Sequence, residues 1–423
     1  MAADHRQNGH QRQRLHRVVV TGVGCITPVG HNADETWTAL KAGQTGFGPF
    51  TLVKKGEHSS GGVCEVKSFD PTQFLDRRDA RRRDRFEQMA TIAANEAMRQ
   101  ANLPITDENR EHIGIFAGTG VGGINTLVDQ EHTLVNDGPR RLSPFAITMI
   151  MPNGAAGMLA IDYGIQGPST TITTACASGN DAIGYAFKAL RQGELVAALT
   201  GGTEATITGV ALGGFERANA TSTRESETPR PFDKERDGLI MGEGAGFLVL
   251  ETLEHALARG AHILAEIVGY GQTTDAYHIT APAEGGRGAA RAMQLALYDA
   301  GMEPRDIGYI NAHGTGTHLN DKTETEAIKA VFGEVAYSIP VSSTKSMTGH
   351  IMGATGAIES VIATYVLRDQ IVPPTINYKV ADPECDLDYV PNVARATPVE
   401  AVMNNAFGFG GHNGVLIFKR YTE

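Results

Sequence analysis

Thr173-Thr174-Ala175-Cys176-Ala177-Ser178-Gly179 runs almost directly into Asp181-Ala182-Ile183-Gly184-Tyr185-Ala186-Phe187-Lys188-Ala189-Leu190. Just upstream, Thr170-Thr171-Ile172-Thr173 is a row of β-branched residues and predicts a short strand. The segment after the cysteine has helical periodicity, so Cys176 falls at a strand-to-helix junction. At such a junction the positive end of the helix dipole favours thiolate over thiol, and the thiolate is the nucleophile. A free cysteine among small residues also serves as a buried space-filler. What separates the two readings lies further along: His313 and His350, each in a Gly-rich turn, can converge on this sulfur.

The chain has 423 residues, room for two domains or one large duplicated one. Its net charge of -11 argues against a nucleic-acid binder, whose surface must attract phosphates. The 50 glycines are spread in tight turns, which predicts close backbone packing. Cys25, Cys64, Cys176 and Cys385 are widely separated and form no CxxC pair. That is the pattern of a reduced, cytoplasmic protein without disulfides or a zinc knuckle. No apolar run approaches the roughly 18–20 residues that cross a bilayer, so no membrane insertion is expected. Residues 1–17 are rich in His, Gln and Arg and lack the apolar stretch of a signal peptide. They read as a disordered tail, whose basic character leaves organelle targeting open.

Structure is expected to begin at Val18-Val19-Val20-Thr21-Gly22-Val23-Gly24, a buried strand ending in glycines. Between Asp70 and Gln100 the spacing predicts one helix, opened by Asp70-Pro71 and carrying Arg77, Arg78, Arg81, Arg82, Arg83 and Arg85. From Asp76 to Arg85, six arginines against three aspartates leave a local balance of +3 on an acidic protein. Such a run is ordinarily a solvated face; concentrated against the overall sign, it also suits an acidic partner.

The chain then repeats itself. Helical Ala93–Gln100 leads to Ile113-Gly114-Ile115-Phe116-Ala117-Gly118, as helical Arg291–Ala300 leads to Ile307-Gly308-Tyr309-Ile310-Asn311. Ile172-Thr173-Thr174 precedes Cys176 and its helix, as Val341-Ser342-Ser343-Thr344 precedes His350 and a helix over Gly353–Leu367. Alternating strands and helices predict helix-covered parallel sheets, and the repetition predicts two similar halves. The seam is placed near Gly260, giving halves 18–260 and 261–423. Cys176, His313 and His350 all follow predicted strands, and ligands in open α/β sheets bind beyond the carboxyl ends of strands.

No HxxxH or HxH spacing joins the histidines and Cys176 has no second thiolate nearby, so a metal site is rejected. A Cys/His hydrolase needs one histidine as base; the second histidine and Lys345 are surplus to it. Two neutral imidazoles donating N–H to one oxygen suit stabilisation of an enolate or thioester oxyanion instead. Asn404-Asn405-Ala406-Phe407-Gly408-Phe409-Gly410-Gly411 lacks the Lys and Ser/Thr of a P-loop, and more naturally sets backbone N–H groups near a reacting atom.

Four ordered blocks now carry a resemblance. Thr174-Ala175-Cys176-Ala177-Ser178-Gly179, Asn311-Ala312-His313-Gly314-Thr315-Gly316-Thr317, Lys345-Ser346-Met347-Thr348-Gly349-His350 and Gly408-Phe409-Gly410-Gly411 resemble the signatures of β-ketoacyl-[acyl-carrier-protein] synthases. Within them, the likeness is to the type II condensing enzymes of fatty-acid elongation, over nearly all of Val18 to Lys419. The resemblance implies the thiolase-like α/β fold: two βαβαβαββ halves in an α-β-α-β-α layered arrangement, in a homodimer. It implies Cys176 as the acyl acceptor, with the N–H groups of Cys176 and Phe409 as oxyanion hole. It assigns malonyl decarboxylation to His313 and His350, with Lys345 tuning the field beside Glu359, and Asp321 and Glu324 bracing the site. Thr315 and Thr317 match pantetheine-binding positions, Val121 the end of the acyl pocket near a dimer interface, and Phe407 a further substrate contact. Phe409 matches a gate over the cysteine, and Arg77, Arg78, Arg81 and Arg82 match the docking site for acyl carrier protein. No cofactor and no metal are implied beyond the carrier's phosphopantetheine arm.

A polyketide ketosynthase shares every block and differs in starter and chain length. A non-catalytic chain-length factor would lack the nucleophile that Cys176 supplies. For the dimer, the apolar segment Leu195–Thr200 is the strand expected to extend a sheet across a twofold axis.

Overall fold

The computed structural model describes residues 15–53 and 61–422. Most of the expected tail, residues 1–14, lies outside the described residues. Its last residues are held: the Arg17 guanidinium donates twice to Glu266, at 2.9 and 2.8 Å, and the His16 N–H donates to the Arg191 carbonyl.

Ten strands are hydrogen-bonded into one sheet in the order β3-β2-β4-β5-β1-β6-β12-β11-β7-β8. The first half comprises β1 (Val18–Ile26), β2 (Ile113–Gly118), β3 (Ser169–Ile172), β4 (Ala197–Ala205) and β5 (Glu243–Thr252). The second comprises β6 (Ala265–Thr274), β7 (Tyr309–Asn311), β8 (Val341–Ser342), β11 (Ala401–Gly408) and β12 (His412–Lys419). A separate ribbon pairs β9 (Ile371–Val372) with β10 (Arg395–Ala396). Read from its free edge inward, the first half is β3-β2-β4-β5-β1 and the second is β8-β7-β11-β12-β6, the same order. In each, four strands run one way and the strand next to the seam strand, β5 or β12, runs against them. The halves meet where Val18, Val19 and Val20 pair with Ile267, Glu266 and Ala265.

Helices complete the five layers. Helix Arg85–Ala101 covers β1, β4 and β5 from outside, and helix Arg287–Ala300 covers β6 and β12. Between the halves lie helices Ser178–Arg191 and Thr355–Asp369, which touch strands of both. The outer packing on β1 demands glycine. A Cβ at Gly22 would stand 2.1 Å from the Ala97 carbonyl oxygen, and one at Gly24 would stand 2.2 Å from that of Ala93. The helix therefore lies directly on bare backbone, through the small-residue face visible in its sequence.

Two expectations are corrected. The helix predicted across Asp70–Gln100 is three pieces: a 3-10 turn Pro71–Gln73, a short helix Arg77–Ala80 and the long helix Arg85–Ala101. The breaks come from aspartates that prefer to cap. Asp76 accepts the N–H groups of Arg78 and Asp79, and Asp84 forms a capping box with Glu87, so each starts a new helix. Likewise, Leu195–Thr200 feeds β4, which lies between β2 and β5 and has no free edge to offer a partner. The edge of the first half is β3, where Ser169 and Thr170 are exposed.

Close to the seam, the buried Glu251 carboxylate of β5 gathers neighbouring elements. It accepts the Thr21 hydroxyl of β1 at 2.5 Å, the Arg259 Nε–H at 2.8 Å and a second Arg259 N–H, and lies 2.5 Å from His255 Nδ1. Arg259 in turn donates to the Ala101 carbonyl at the end of the outer helix. These donors outweigh burial and depress Glu251 from 4.5 to about 2. A depressed carboxylate stabilises the fold above its unfolded pKa, and that stability is lost as pH falls through the folded value. Glu251→Gln is expected to cost about 3 kcal/mol of unfolding free energy at pH 7. In denaturant titrations the gap should close as pH falls from 4.5 towards about 2.

Candidate active site

Three strand ends bring the expected residues together. After β3 the chain turns sharply through Ala175, whose φ of +50° is left-handed, into the 3-10 turn Ala175–Ala177 and then helix Ser178–Arg191. Ser178 braces this turn: its hydroxyl accepts the Thr174 N–H at 2.9 Å and donates to the Ala175 carbonyl at 2.6 Å. Thr174 is tied by its own hydroxyl to the buried Asp181, 2.6 Å away, and Tyr270 of β6 donates to the same carboxylate at 2.7 Å. Cys176 is thus presented, largely buried, from a turn fastened on both sides.

His313 follows β7. Its N–H and that of Gly314 each donate to Glu324 at 2.8 Å, and Gly314 and Gly316 take the positive φ values that let the loop fold back. Asp321 accepts the N–H groups of Phe232 and Gly316, at 2.7 and 3.2 Å, and so holds the other end of that loop. Both carboxylates brace backbone, which explains their burial. His350 follows β8 and the short helix Lys345–Thr348. Lys345 Nζ lies 2.7 Å from Glu359 Oε1, and both side chains are fully enclosed. The His313 and His350 rings stand edge to face with centroids 5.4 Å apart.

The β11–β12 hairpin supplies the roof. Its turn holds Phe409, with Gly410 and Gly411 at φ +85° and +74°. A Cβ at Gly408 would come within 2.9 Å of the Cys176 nitrogen, so the hairpin lies directly on the nucleophile's turn. The N–H groups of Phe409 and of Cys176 itself both bear on the sulfur. Both are backbone donors.

Cys176, His313, His350, Thr315, Thr317, Phe407 and Phe409 line one cavity of about 290 Å³. Phe407 packs against His313 at 5.8 Å between ring centroids, and Phe409 against Phe215 at 5.9 Å. The Thr315 and Thr317 hydroxyls lie 2.9 Å apart on one side of it. Val121 does not line this cavity; it is 47% exposed. The arginines are also apart from it: Arg77, Arg78 and Arg81 are exposed, and Arg82 stacks on Phe145 at 4.8 Å. Arg83 and Arg85 are internal, forked onto Asp162 and Glu243.

Electrostatics decides what these groups can do. Burial, reinforced by the Lys345 charge, holds His313 and His350 well below the ordinary imidazole value, so both are neutral. The Met352 N–H donates to His350 Nδ1 at 3.2 Å, which leaves the proton of the neutral ring on Nε2. Burial keeps Glu359 up at about 7 even beside Lys345, and Glu324 at about 6. One expectation is reversed for the nucleophile. Burial pushes the Cys176 thiol up to about 11, outweighing the backbone donors and Lys345. The resting group is a thiol, and its proton must leave in the acylation step.

Sequence reasoning missed Glu204 and Asp181. Each is a buried carboxylate holding backbone or hydroxyl donors around the nucleophile. The signal for Glu204 was present: an acid within the small-residue strand Gly201-Gly202-Thr203-Glu204-Ala205 needs donors to be buried there.

Likeness to known proteins decides the family. Residues 15–256 match the beta-ketoacyl synthase N-terminal domain and residues 264–379 its C-terminal domain. The chain belongs to the β-ketoacyl synthase family. It is 51% identical over 408 residues to a 3-oxoacyl-[acyl-carrier-protein] synthase 2 of Synechocystis sp., covering 96% of this chain and 98% of that one. Among solved structures it is similar to the ishigamide ketosynthase/chain length factor, with TM-score 0.90 and 38% identity over 96% of this chain and all of the other. It is also similar to a ketosynthase bound to a hexaketide and complexed with its type II PKS acyl-carrier protein, with TM-score 0.87, 35% identity and the same coverage. The chain is accordingly a condensing enzyme of the acyltransferase class with a thiolase-like fold.

Proposed function

We propose that this β-ketoacyl synthase elongates fatty acyl chains by decarboxylative condensation of malonyl carrier thioesters onto a Cys176-bound acyl group. The observation that carries this reading is the pair of neutral imidazoles facing the sulfur in one cavity. A hydrolase would need one of them as a base; in this cavity burial removes the basicity and leaves N–H donors. The identity of 51% to a 3-oxoacyl-[acyl-carrier-protein] synthase 2, against 38% and 35% to the two ketosynthase structures, supports that pathway over a polyketide one.

In the first step Cys176 Sγ attacks the carbonyl of the carrier-bound acyl thioester. The carrier sulfur leaves and takes up the cysteine proton. Exchange between two sulfurs is nearly balanced, so the acyl group stays activated. Malonyl thioester then enters past Thr315 and Thr317. Its C–CO2 bond breaks, and the electron pair moves onto the thioester oxygen, where His313 and His350 donate N–H bonds. Neutral donors aimed at such an oxyanion are commonly worth about 3–4 kcal/mol each. The enolate carbon attacks the acyl-cysteine carbonyl; the tetrahedral oxyanion takes the N–H groups of Cys176 and Phe409, and the sulfur leaves as thiolate and takes a proton from water to restore the resting thiol. Lys345 stays paired with Glu359 and acts through its field.

For carrier docking, the exposed arginines Arg77, Arg78 and Arg81 with Arg82 form a basic island on a chain of net charge -11. An acidic carrier protein is the complementary partner. For assembly, the helix bearing Ile161 packs beside the free edge of β3 and leads through the helix bearing Ile147 to the one bearing Leu127 and Val135; these four apolar residues are 77%, 69%, 51% and 72% exposed. We assign this face to a homodimer, and Val121 on the same stretch of chain to its margin near the acyl pocket.

Sedimentation at assay concentration should give twice the 45.0 kDa chain mass, and Ile161→Asp should shift it toward the monomer. An active wild-type monomer would sink the dimer. Arg78→Glu with Arg82→Glu should raise KM for carrier-linked substrates and weaken its salt dependence, leaving small pantetheine thioesters little affected; equal loss with both would assign the arginines to folding. For the reaction itself, Cys176→Gln should form no elongated product yet still release CO2 from malonyl carrier thioester. Adding His313→Ala or His350→Ala should suppress that release with the melting transition unchanged. CO2 release surviving loss of both histidines would overturn their assignment as enolate donors.

A further inference from the structure

Glu204 on β4 is fully buried, and no step of the proposed condensation uses it. Its carboxylate accepts four donors from two distant segments. The Thr119 hydroxyl at 3.0 Å and the Val121 N–H at 3.3 Å reach Oε1. The N–H groups of Gly120 at 2.6 Å and Gly353 at 2.9 Å converge on Oε2. The first three donors follow β2 in one half, and Gly353 belongs to the loop after His350 in the other. Gly353 has no room for a side chain, and one at Gly120 would press on the carboxylate itself. A Cβ at Gly120 would stand 2.9 Å from Glu204 Oε2, and one at Gly353 would stand 2.3 Å from the Gly120 nitrogen.

The residue before Gly353 makes this cradle consequential. Met352 has φ +41°, a left-handed conformation that costs energy for a side-chain-bearing residue and persists only where surroundings hold it. The Met352 N–H donates to His350 Nδ1 at 3.2 Å, where the Thr355 hydroxyl stands at the same distance, and so leaves the ring proton on Nε2. Two consecutive amides are therefore divided: that of Met352 serves His350, and that of Gly353 is anchored by Glu204. The anchored peptide plane is the one immediately following the strained residue.

We propose that Glu204 is a positioning residue for His350: by holding the Gly353 N–H it keeps Met352 in its strained turn, so that the Met352 N–H presents His350 with Nε2–H toward the enolate. This rests on the proposed condensation. The same carboxylate also opposes the Cys176 thiolate, against the favourable charge of Lys345; the other titratable groups lining the cavity are His313 and His350, both neutral, with His318, Asp237 and Asp275. Removing its charge and removing its geometry thus act on different half-reactions in opposite directions. A general strut would not.

Glu204→Gln separates them. Enzyme pre-loaded with an acyl chain is mixed with malonyl carrier thioester and CO2 release is followed. The variant should release CO2 about ten- to a hundredfold more slowly, the scale of a small misplacement at a reacting centre. Iodoacetamide alkylation of Cys176, located by peptide mass, should instead become easier, its rate–pH profile moving about one unit toward lower pH as a like charge is removed. Glu204→Asp keeps the charge one methylene short; it should slow CO2 release and leave the alkylation profile in place, and it serves as the test if the Gln variant lacks a cooperative melt. CO2 release at the wild-type rate in either folded variant overturns the inference, as does a parallel fall of both half-reactions in Glu204→Gln. A wild-type chain that releases no CO2 overturns the proposed reaction and the inference with it.

Discussion

The amide pair Asn180–Asn404 fixes the distance between Cys176 and Phe409. Asn180 lies one turn into the helix that Cys176 opens, and Asn404 lies on β11, which leads to Phe409. Asn180 Nδ2 donates to the carbonyls of Asn404 and Gly414, at 3.0 Å each. Asn404 Nδ2 donates to Asn180 Oδ1 at 3.1 Å, to the Gly356 carbonyl at 2.9 Å and to Ser360 Oγ at 3.0 Å. Both residues are fully buried, where an amide without partners is costly. One pair therefore ties the helix bearing Cys176, the hairpin bearing Phe409 and the helix that follows His350. Backbone N–H donors make a usable oxyanion hole only if two chain segments from different halves keep their spacing, and this pair spans them.

Within that frame the charged groups are kept off the reacting atoms. Lys345 sits at 2.7 Å from Glu359, fully enclosed, and neither needs to touch substrate. Its field does two things of use: it keeps both imidazoles neutral and it favours the thiolate of Cys176. The acids Glu324, Asp321 and Glu204 each take up backbone N–H groups of a loop, so their charge is satisfied locally. While Asp237 and Asp275 also belong to the lining of the cavity, around Cys176 it presents His313, His350, Phe407 and Phe409. That suits an intermediate whose negative charge appears on an oxygen and then disappears, since a fixed cation there would hold the enolate too long.

The duplicated βαβαβαββ order was legible because it is written in periodicity: strand, Gly-rich turn and helix recur, and strand order in the two halves is the same. Cys176, His313 and His350 were legible because strand-end turns with glycine are where such a fold can present a side chain. What stayed hidden was set by tertiary burial. The Leu195–Thr200 segment is apolar because it is covered on both faces in mid-sheet, and apolarity alone does not separate that from a dimer edge. The helix position of Cys176 points to a thiolate, while enclosure, which no local pattern encodes, dominates its pKa. Glu204 and Asp181 hold donors far away in sequence, so spacing could not reveal them. The breaks at Asp76 and Asp84 could have been read, since each aspartate itself occupies an N-cap position.

The arginine run shows how local charge should be counted. From Asp76 to Arg85 there are six positive and three negative residues. Arg83 is spent on Asp162, Arg85 on Glu243, and Asp84 is a buried cap that also accepts Thr126. Removing those three residues leaves Arg77, Arg78, Arg81 and Arg82 against Asp76 and Asp79, four minus two, a surface balance of +2. The island survives, smaller and differently located than the raw count implied. Its geometry follows from the same aspartates: because Asp76 restarts the chain as a four-residue helix, Arg77 and Arg78 leave its first turn and Arg81 its end, all into solvent. A continuous helix would have carried Arg83 and Arg85 round the same surface and left Asp162 and the fully buried Glu243 without their cations. The cap that breaks the helix thus divides one basic run into an outward set that can meet a partner and an inward set that completes the fold.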